Sequence, residues 1–126
     1  MKKGPRSLTL MQQWLDARNK FRGVRWTRSG ITLPLRPTVE SPTYQIRIDY
    51  DPNVPPKVFV MSPRLVTDPP HVYGNGRLCL YLHEYDNSMG FGETIVPWTA
   101  EWLYFYELWQ EQGEWLAPAS PHRGPK

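Results

Sequence analysis

The chain has 126 residues, with fourteen prolines, six tryptophans, one cysteine and a net charge of +3. That length makes one domain, with room for a core but not for two, and the aromatic content excludes a disordered chain. No apolar run approaches the roughly 20 residues needed to span a bilayer, and a single cysteine can form neither an internal disulfide nor a thiolate-built metal site.

The small net charge hides an asymmetry. Lys2, Lys3, Arg6, Arg18, Lys20, Arg22, Arg25 and Arg28 face one early acid, Asp16. From Leu78 to His122 the charged carboxylate and cationic side chains are acids alone, Glu84 to Glu114. A basic segment of this kind meets nucleic acid, an acidic membrane surface or an acidic protein face, or it is a solvated helix face. Its first residues lack the apolar core and small-residue cleavage site of a secretion signal. The expected location is the cytoplasm, where a free thiol stays reduced.

In chain order, Ser7 is placed to cap a helix running to about Phe21. Leu8, Met11 and Leu15 form one stripe, with Leu10, Trp14 and Phe21 beside it, and Gly23 closes the helix. Residues Ile31 to Leu35 alternate as a strand, but Pro34 has no amide hydrogen, so an edge or interrupted strand is expected. Tyr44 to Tyr50 alternates without fault and predicts a strand with one buried face. Lys57 to Met61 is apolar on both faces, as an inner strand covered on both sides would be. The prolines and Asn53 between these two segments predict a turn. After a loop from His83 to Gly92, a second helix is expected from about Pro97 to Gly113. Its Trp98, Trp102, Phe105 and Trp109 form a stripe that reads as core. The segment from Pro118 to Lys126 reads as a loose proline-rich tail.

Cys79 stands in the run Pro69-Pro70-His71-Val72-Tyr73-Gly74-Asn75-Gly76-Arg77-Leu78-Cys79-Leu80. It is either a nucleophile or a small buried hydrophobe. The stiff approach, the histidine eight residues upstream and the sharp glycine turn favour the nucleophile. Cys79, His71 and His83 lack the paired spacing of zinc ligands, and a fourth is missing, so no metal is expected. Gly74-x-Gly76 and Gly90-x-Gly92 lack the strand-to-helix setting of phosphate loops, so no cofactor is expected either.

The order of helix, antiparallel meander, extended cysteine segment and packed helix resembles that of ubiquitin-conjugating enzymes. Tyr50, Pro52 and Pro55-Pro56-Lys57-Val58 follow the family's turn into its strand, and Gly76-Arg77-Leu78-Cys79-Leu80 follows its cysteine motif. Pro69-Pro70-His71 replaces the family's His-Pro-Asn tripeptide, so His71 stands where the asparagine would be. His71-x-Tyr73 and the tryptophan-rich helix before Gly113-x-Trp115 are similar to the bacterial branch associated with anti-phage defence. The resemblance covers about residues 7–116.

It implies an α+β fold in a single domain, residues 1–126: an N-terminal helix, a four-stranded antiparallel meander and a second helix packed on the sheet, without the further C-terminal helices. It implies a transferase in which Cys79 takes an acyl group as a thioester and passes it to an amine. His71 then assists as hydrogen-bond donor, as base or as a brace of the turn. Tyr73 and His83 are accessory candidates. The partner the resemblance favours is the C-terminus of a cGAS/DncV-like nucleotidyltransferase in cyclic-oligonucleotide-based (CBASS) signalling; a bacterial ubiquitin-like modifier is second. In that family the basic first helix meets the activating enzyme. Two rivals predict other behaviour: an inactive binding module indifferent to Cys79, and a nucleic-acid binder whose affinity collapses with salt.

Overall fold

The computed structural model describes residues 6–80 and 85–116. His83 and the tail from residue 117 lie outside the described residues. In chain order the elements are α1 (Leu10–Lys20), β1 (Arg25–Trp26), β2 (Gly30–Leu35), β3 (Tyr44–Asp49), β4 (Lys57–Ser62) and α2 (Ile95–Gln112). The four strands form one antiparallel meander in the order β1-β2-β3-β4. This is the expected α+β arrangement of helix, sheet and helix.

Strand alternation builds the core. Ile31, Leu33 and Leu35 on β2 lie opposite Ile48, Ile46 and Tyr44 on β3, and all six are buried together with Val58 of β4. Direct cross-strand pairs of this kind are the unit of sheet stability. Ile95, Val96, Thr99, Trp102, Leu103 and Tyr106 of α2 are buried as well. Their apolar members belong to one cluster with the strand residues and Ala17 of α1. Thr99 satisfies its buried hydroxyl on the Ile95 carbonyl, 2.7 Å away.

Several boundaries and faces differ from the expectation. Helix α1 begins at Leu10, and its cap is Thr9 rather than Ser7. The Thr9 hydroxyl accepts from the Gln12 amide while the Gln12 side chain accepts from the Thr9 amide, a reciprocal capping box. Its buried residues are Gln13 and Ala17, while Met11 and Leu15 are 54% and 38% exposed. The partly buried Leu10, Trp14 and Phe21 flank that face. The helix ends at the Phe21 cap, and Gly23 belongs to the following turn at φ +75°, against the Pro34 ring.

Strand β2 is an inner strand over its first half only. The short β1 reaches no further than Thr32, so Pro34 lies on a stretch with no strand paired on that side, where a missing amide hydrogen breaks no ladder bond. Strand β4 is the sheet edge, not an inner strand. Its second apolar face is covered only in part: the Arg47 guanidinium lies 4.2 Å from the Phe59 ring centre, Met61 is 55% exposed, and the cysteine segment bonds to the strand's outer edge at Val58. Helix α2 starts two residues before Pro97, which lies in the first turn, and Gly113 closes it at φ +83° as expected. Of the tryptophan stripe, Trp102 is buried, while Trp98 and Trp109 pack at the margin of the core.

Candidate active site

The cysteine segment is a hairpin hung between the sheet edge and α2. Val72 and Leu78 form its bridge. The Tyr73 amide donates to the Arg77 carbonyl at 2.9 Å and the Gly76 amide to the Tyr73 carbonyl at 2.8 Å. Gly76 takes φ +92°, a conformation that glycine adopts without steric cost. Asn75 steadies the tip by accepting the Arg77 amide on its side-chain oxygen, 3.0 Å away.

Three further bonds fix where the hairpin sits. The Leu78 amide donates to the Val58 carbonyl at 2.8 Å, tying the outgoing arm to β4, and the Cys79 amide donates to the His71 carbonyl at 2.8 Å. The Trp102 indole N–H of α2 donates to that same His71 carbonyl at 3.2 Å. The buried Trp102 of α2 therefore holds the residue paired with the cysteine. Leu78 and Leu80 are buried and Cys79 between them is half-buried, as alternation along an extended segment requires. The thiol is thus presented at the surface by two anchors that face inward.

Asp68 and His71 both adopt positive φ, 54° and 61°, on either side of Pro69-Pro70. Left-handed backbone at non-glycine residues costs of order 1–3 kcal/mol and persists where surrounding contacts impose it. Here the imposing contacts include Trp102 and Trp115. The His71 ring packs 4.8 Å from the Trp115 ring, which in turn lies 5.4 Å from Trp102. His71 is close to Cys79 through its backbone, and its imidazole is exposed and packed on Trp115.

The side chain that meets the sulfur is Tyr73. Its hydroxyl oxygen lies 3.5 Å from Cys79 Sγ, hydrogen-bond distance for sulfur. That hydrogen bond, followed by the charge of the sulfur and burial, holds the phenol above its ordinary value near 10; the neighbouring Arg77 guanidinium opposes it. Arg77 stacks its guanidinium 4.2 Å from the Tyr73 ring centre. Tyr73, Arg77, Leu78 and Leu80 form one wall of a groove of about 440 Å³, and Val54 to Lys57 form the other. The sequence names Cys79, His71 and Tyr73, and the structure gathers all three in this hairpin. Arg77 and Trp102 are the residues that sequence reading passes over. An arginine four residues after a tyrosine across a glycine turn is the signal for the first; nothing local marks the second.

Among the described residues, no cluster of three or more His, Cys, Asp or Glu side chains could hold a metal ion. No helix among them is long and apolar enough to cross a membrane.

A helix, a four-stranded meander and a second helix, with a half-buried cysteine after the sheet, define the ubiquitin-conjugating-like class. The family model described as "Type II CBASS E2 protein" matches residues 8–123. The chain belongs to that family and is an E2-like protein of CBASS anti-phage defence. Comparison with the curated proteins finds no match.

Proposed function

We propose that Cys79 is an acyl carrier. Its sulfur attacks an activated C-terminal carbonyl, supplied as a thioester or acyl adenylate by an activating protein. The carbon–sulfur bond forms as the bond to the activating group breaks. An amine then attacks the same carbon, the carbon–nitrogen bond forms, and the thiolate departs while the amine proton passes to a base or to water. A thiolate is intrinsically a strong nucleophile and the incoming acyl group is already activated, so the protein's task is positioning and stabilising the oxyanion. One well-placed donor contributes about 3 kcal/mol in acyl-transfer sites.

The observation that supports this reading is the presentation of the only cysteine. It is half-buried between two buried leucines, on a hairpin tied by its backbone to both β4 and α2. A cysteine kept for packing alone belongs with its neighbours inside. His71 assists, its left-handed backbone giving Cys79 its hairpin partner while its exposed ring packs on Trp115. His83 remains an accessory candidate. The basic N-terminal segment meets the activating protein.

The acyl donor is the C-terminus of the cGAS/DncV-like nucleotidyltransferase of the same system. The test pairs this protein with that nucleotidyltransferase, intact or lacking its last few residues, and an activating fraction. A covalent conjugate with the intact partner alone is the expected result. Conjugation that survives the truncation, or that goes instead to a small ubiquitin-like protein, overturns the choice of donor.

A further inference from the structure

Around the sulfur, the polar groups do not come from where the motif points. His71 is the residue that replaces the family's asparagine, yet its ring leans on Trp115. The hydroxyl within hydrogen-bond distance of Cys79 Sγ is that of Tyr73, at 3.5 Å. The hairpin brings it there: with the Tyr73 amide bonded to the Arg77 carbonyl and the Cys79 amide to the His71 carbonyl, Tyr73 and Cys79 stand on opposite arms of one turn.

Tyr73 is 47% exposed, so burial alone does not fix its ring. Arg77 does. Its guanidinium lies over the ring at 4.2 Å, and its Nε atom is buried with no hydrogen-bond partner. A buried donor left unpaired is unfavourable, so this placement is held by stacking on the ring rather than by hydrogen bonding at Nε. Arg77 and Lys57 are the charged residues of the groove that Tyr73 lines, and among the described lining residues there is no carboxylate.

We infer that Tyr73 is the hydrogen-bond donor to the reacting Cys79 sulfur, and that Arg77 is a positioning residue that holds the Tyr73 ring in place by stacking. This rests on the reading of Cys79 as the reacting group. In the structure the Cys79 thiol donates to the Tyr73 oxygen; once ionised the sulfur can only accept, and the phenol becomes the donor. The same hydroxyl is beside the carbon–sulfur bond when the amine displaces the thiolate, so it stabilises the leaving sulfur as well as the attacking one.

The test uses the full chain and needs no acyl donor. Alkylation of Cys79 by iodoacetamide is followed by intact mass from about pH 6 to about pH 10, the range in which a cysteine thiol ionises, with circular dichroism to confirm folding. Tyr73→Phe is expected to slow alkylation near neutral pH about threefold, the scale of one modest hydrogen bond, and to move the rising limb of the pH profile upward. Arg77→Ala moves it the same way by a smaller amount, about twofold. Arg77→Lys behaves as Arg77→Ala, because an ammonium keeps the charge but not the planar stack. In the Tyr73→Phe background Arg77→Ala adds nothing, since Arg77 acts through the hydroxyl.

An unchanged profile for Tyr73→Phe overturns the inference. Wild-type behaviour of Arg77→Lys, or an effect of Arg77→Ala that persists without the hydroxyl, overturns the positioning role in favour of simple charge. Should the profiles shift as expected while no acyl adduct ever forms on Cys79, the acyl-carrier reading fails and this inference stands.

Discussion

Two irregular segments of this molecule are fastened by side chains to helices, and the fastening differs. The stretch from Tyr85 to Gly92 is locked from α1. The Gln13 amide, fully buried, donates to the Met89 carbonyl at 2.9 Å and accepts the Phe91 amide at 2.7 Å. Asp16 accepts the Gly92 amide at 2.8 Å, and any side chain at Gly90 would collide with the Asp16 carboxylate. Tyr85 and Phe91 of this stretch are buried. The cysteine hairpin is held from α2 by one indole N–H on one carbonyl, and it leaves His71 and Tyr73 exposed and the thiol half-buried. Both segments are rich in glycine, asparagine and aromatic residues. The first spends its polar groups on burial and stability, whereas the second leaves a sulfur and a hydroxyl at the surface.

The contrast is sharpest where the lock is removed. Gln13→Ala deletes both bonds of a buried amide and leaves the Met89 carbonyl and Phe91 amide unpaired. A loss of about 3 kcal/mol in unfolding free energy is expected in urea titrations. A loss no larger than that of a surface substitution would show that the stretch is not locked from α1.

Two buried tyrosines also tie stability to pH. Burial, foremost, raises the phenols of Tyr44 and Tyr85 well above their ordinary value near 10; Tyr44 is raised further by the Glu107 carboxylate, which accepts its hydroxyl at 2.7 Å. A phenol raised on folding keeps its full contribution below its unfolded pKa and loses it as the pH rises towards the folded one. Unfolding free energy is therefore expected to be insensitive to these groups below about pH 10, then to fall by at most about 1.4 kcal/mol per pH unit for each phenol. Screening at the wet edge of each ring reduces that slope. Urea titrations of Tyr44→Phe and Tyr85→Phe from about pH 9 to about pH 11, either side of an ordinary phenol's value, separate the two shares. A slope unchanged by both would contradict this account.

The hairpin is less costly to disturb. Trp102→Phe keeps a ring against Tyr106 and Trp115 and removes the bond to the His71 carbonyl, which is expected to lower stability by about 1 kcal/mol. It also loosens the hairpin, read as faster amide hydrogen exchange at Cys79. No change in that exchange would mean that α2 does not hold the site. Smallest of all is Cys79→Ala, expected within about 0.5 kcal/mol of the parent because the thiol is half-buried. A loss several times larger would return Cys79 to the role of a packing residue.

Much of this was legible in the sequence, for reasons the particular residues make plain. Tyr44 to Asp49 alternates because one face is core and the other is wet, and Gly113 ends α2 because a left-handed cap suits glycine. The buried face of α1 was not legible. Gln13 sits at its centre, and hydrophobic periodicity counts a glutamine as surface when its partners, Met89 and Phe91, lie more than seventy residues away. Strand β4 reads as an inner strand because its outer face is apolar, yet it is the sheet edge, with Arg47 over Phe59 and Met61 exposed. Strand β1 has two residues, too few to show any period. At the site, local motif reading finds Cys79, His71 and Tyr73, since they share one turn. Contacts across the fold decide that the His71 ring rests on Trp115 and that Trp102 reaches its carbonyl.

The central claim is that Cys79 carries an acyl group, and intact mass tests it most directly. The protein is co-expressed with its neighbouring genes and denatured without reductant, and its mass is read with and without excess thiol. The account predicts an adduct that thiol removes and that Cys79→Ala abolishes, with a mass that names the donor. No adduct with every neighbour present, or an adduct that persists in Cys79→Ala, would contradict it.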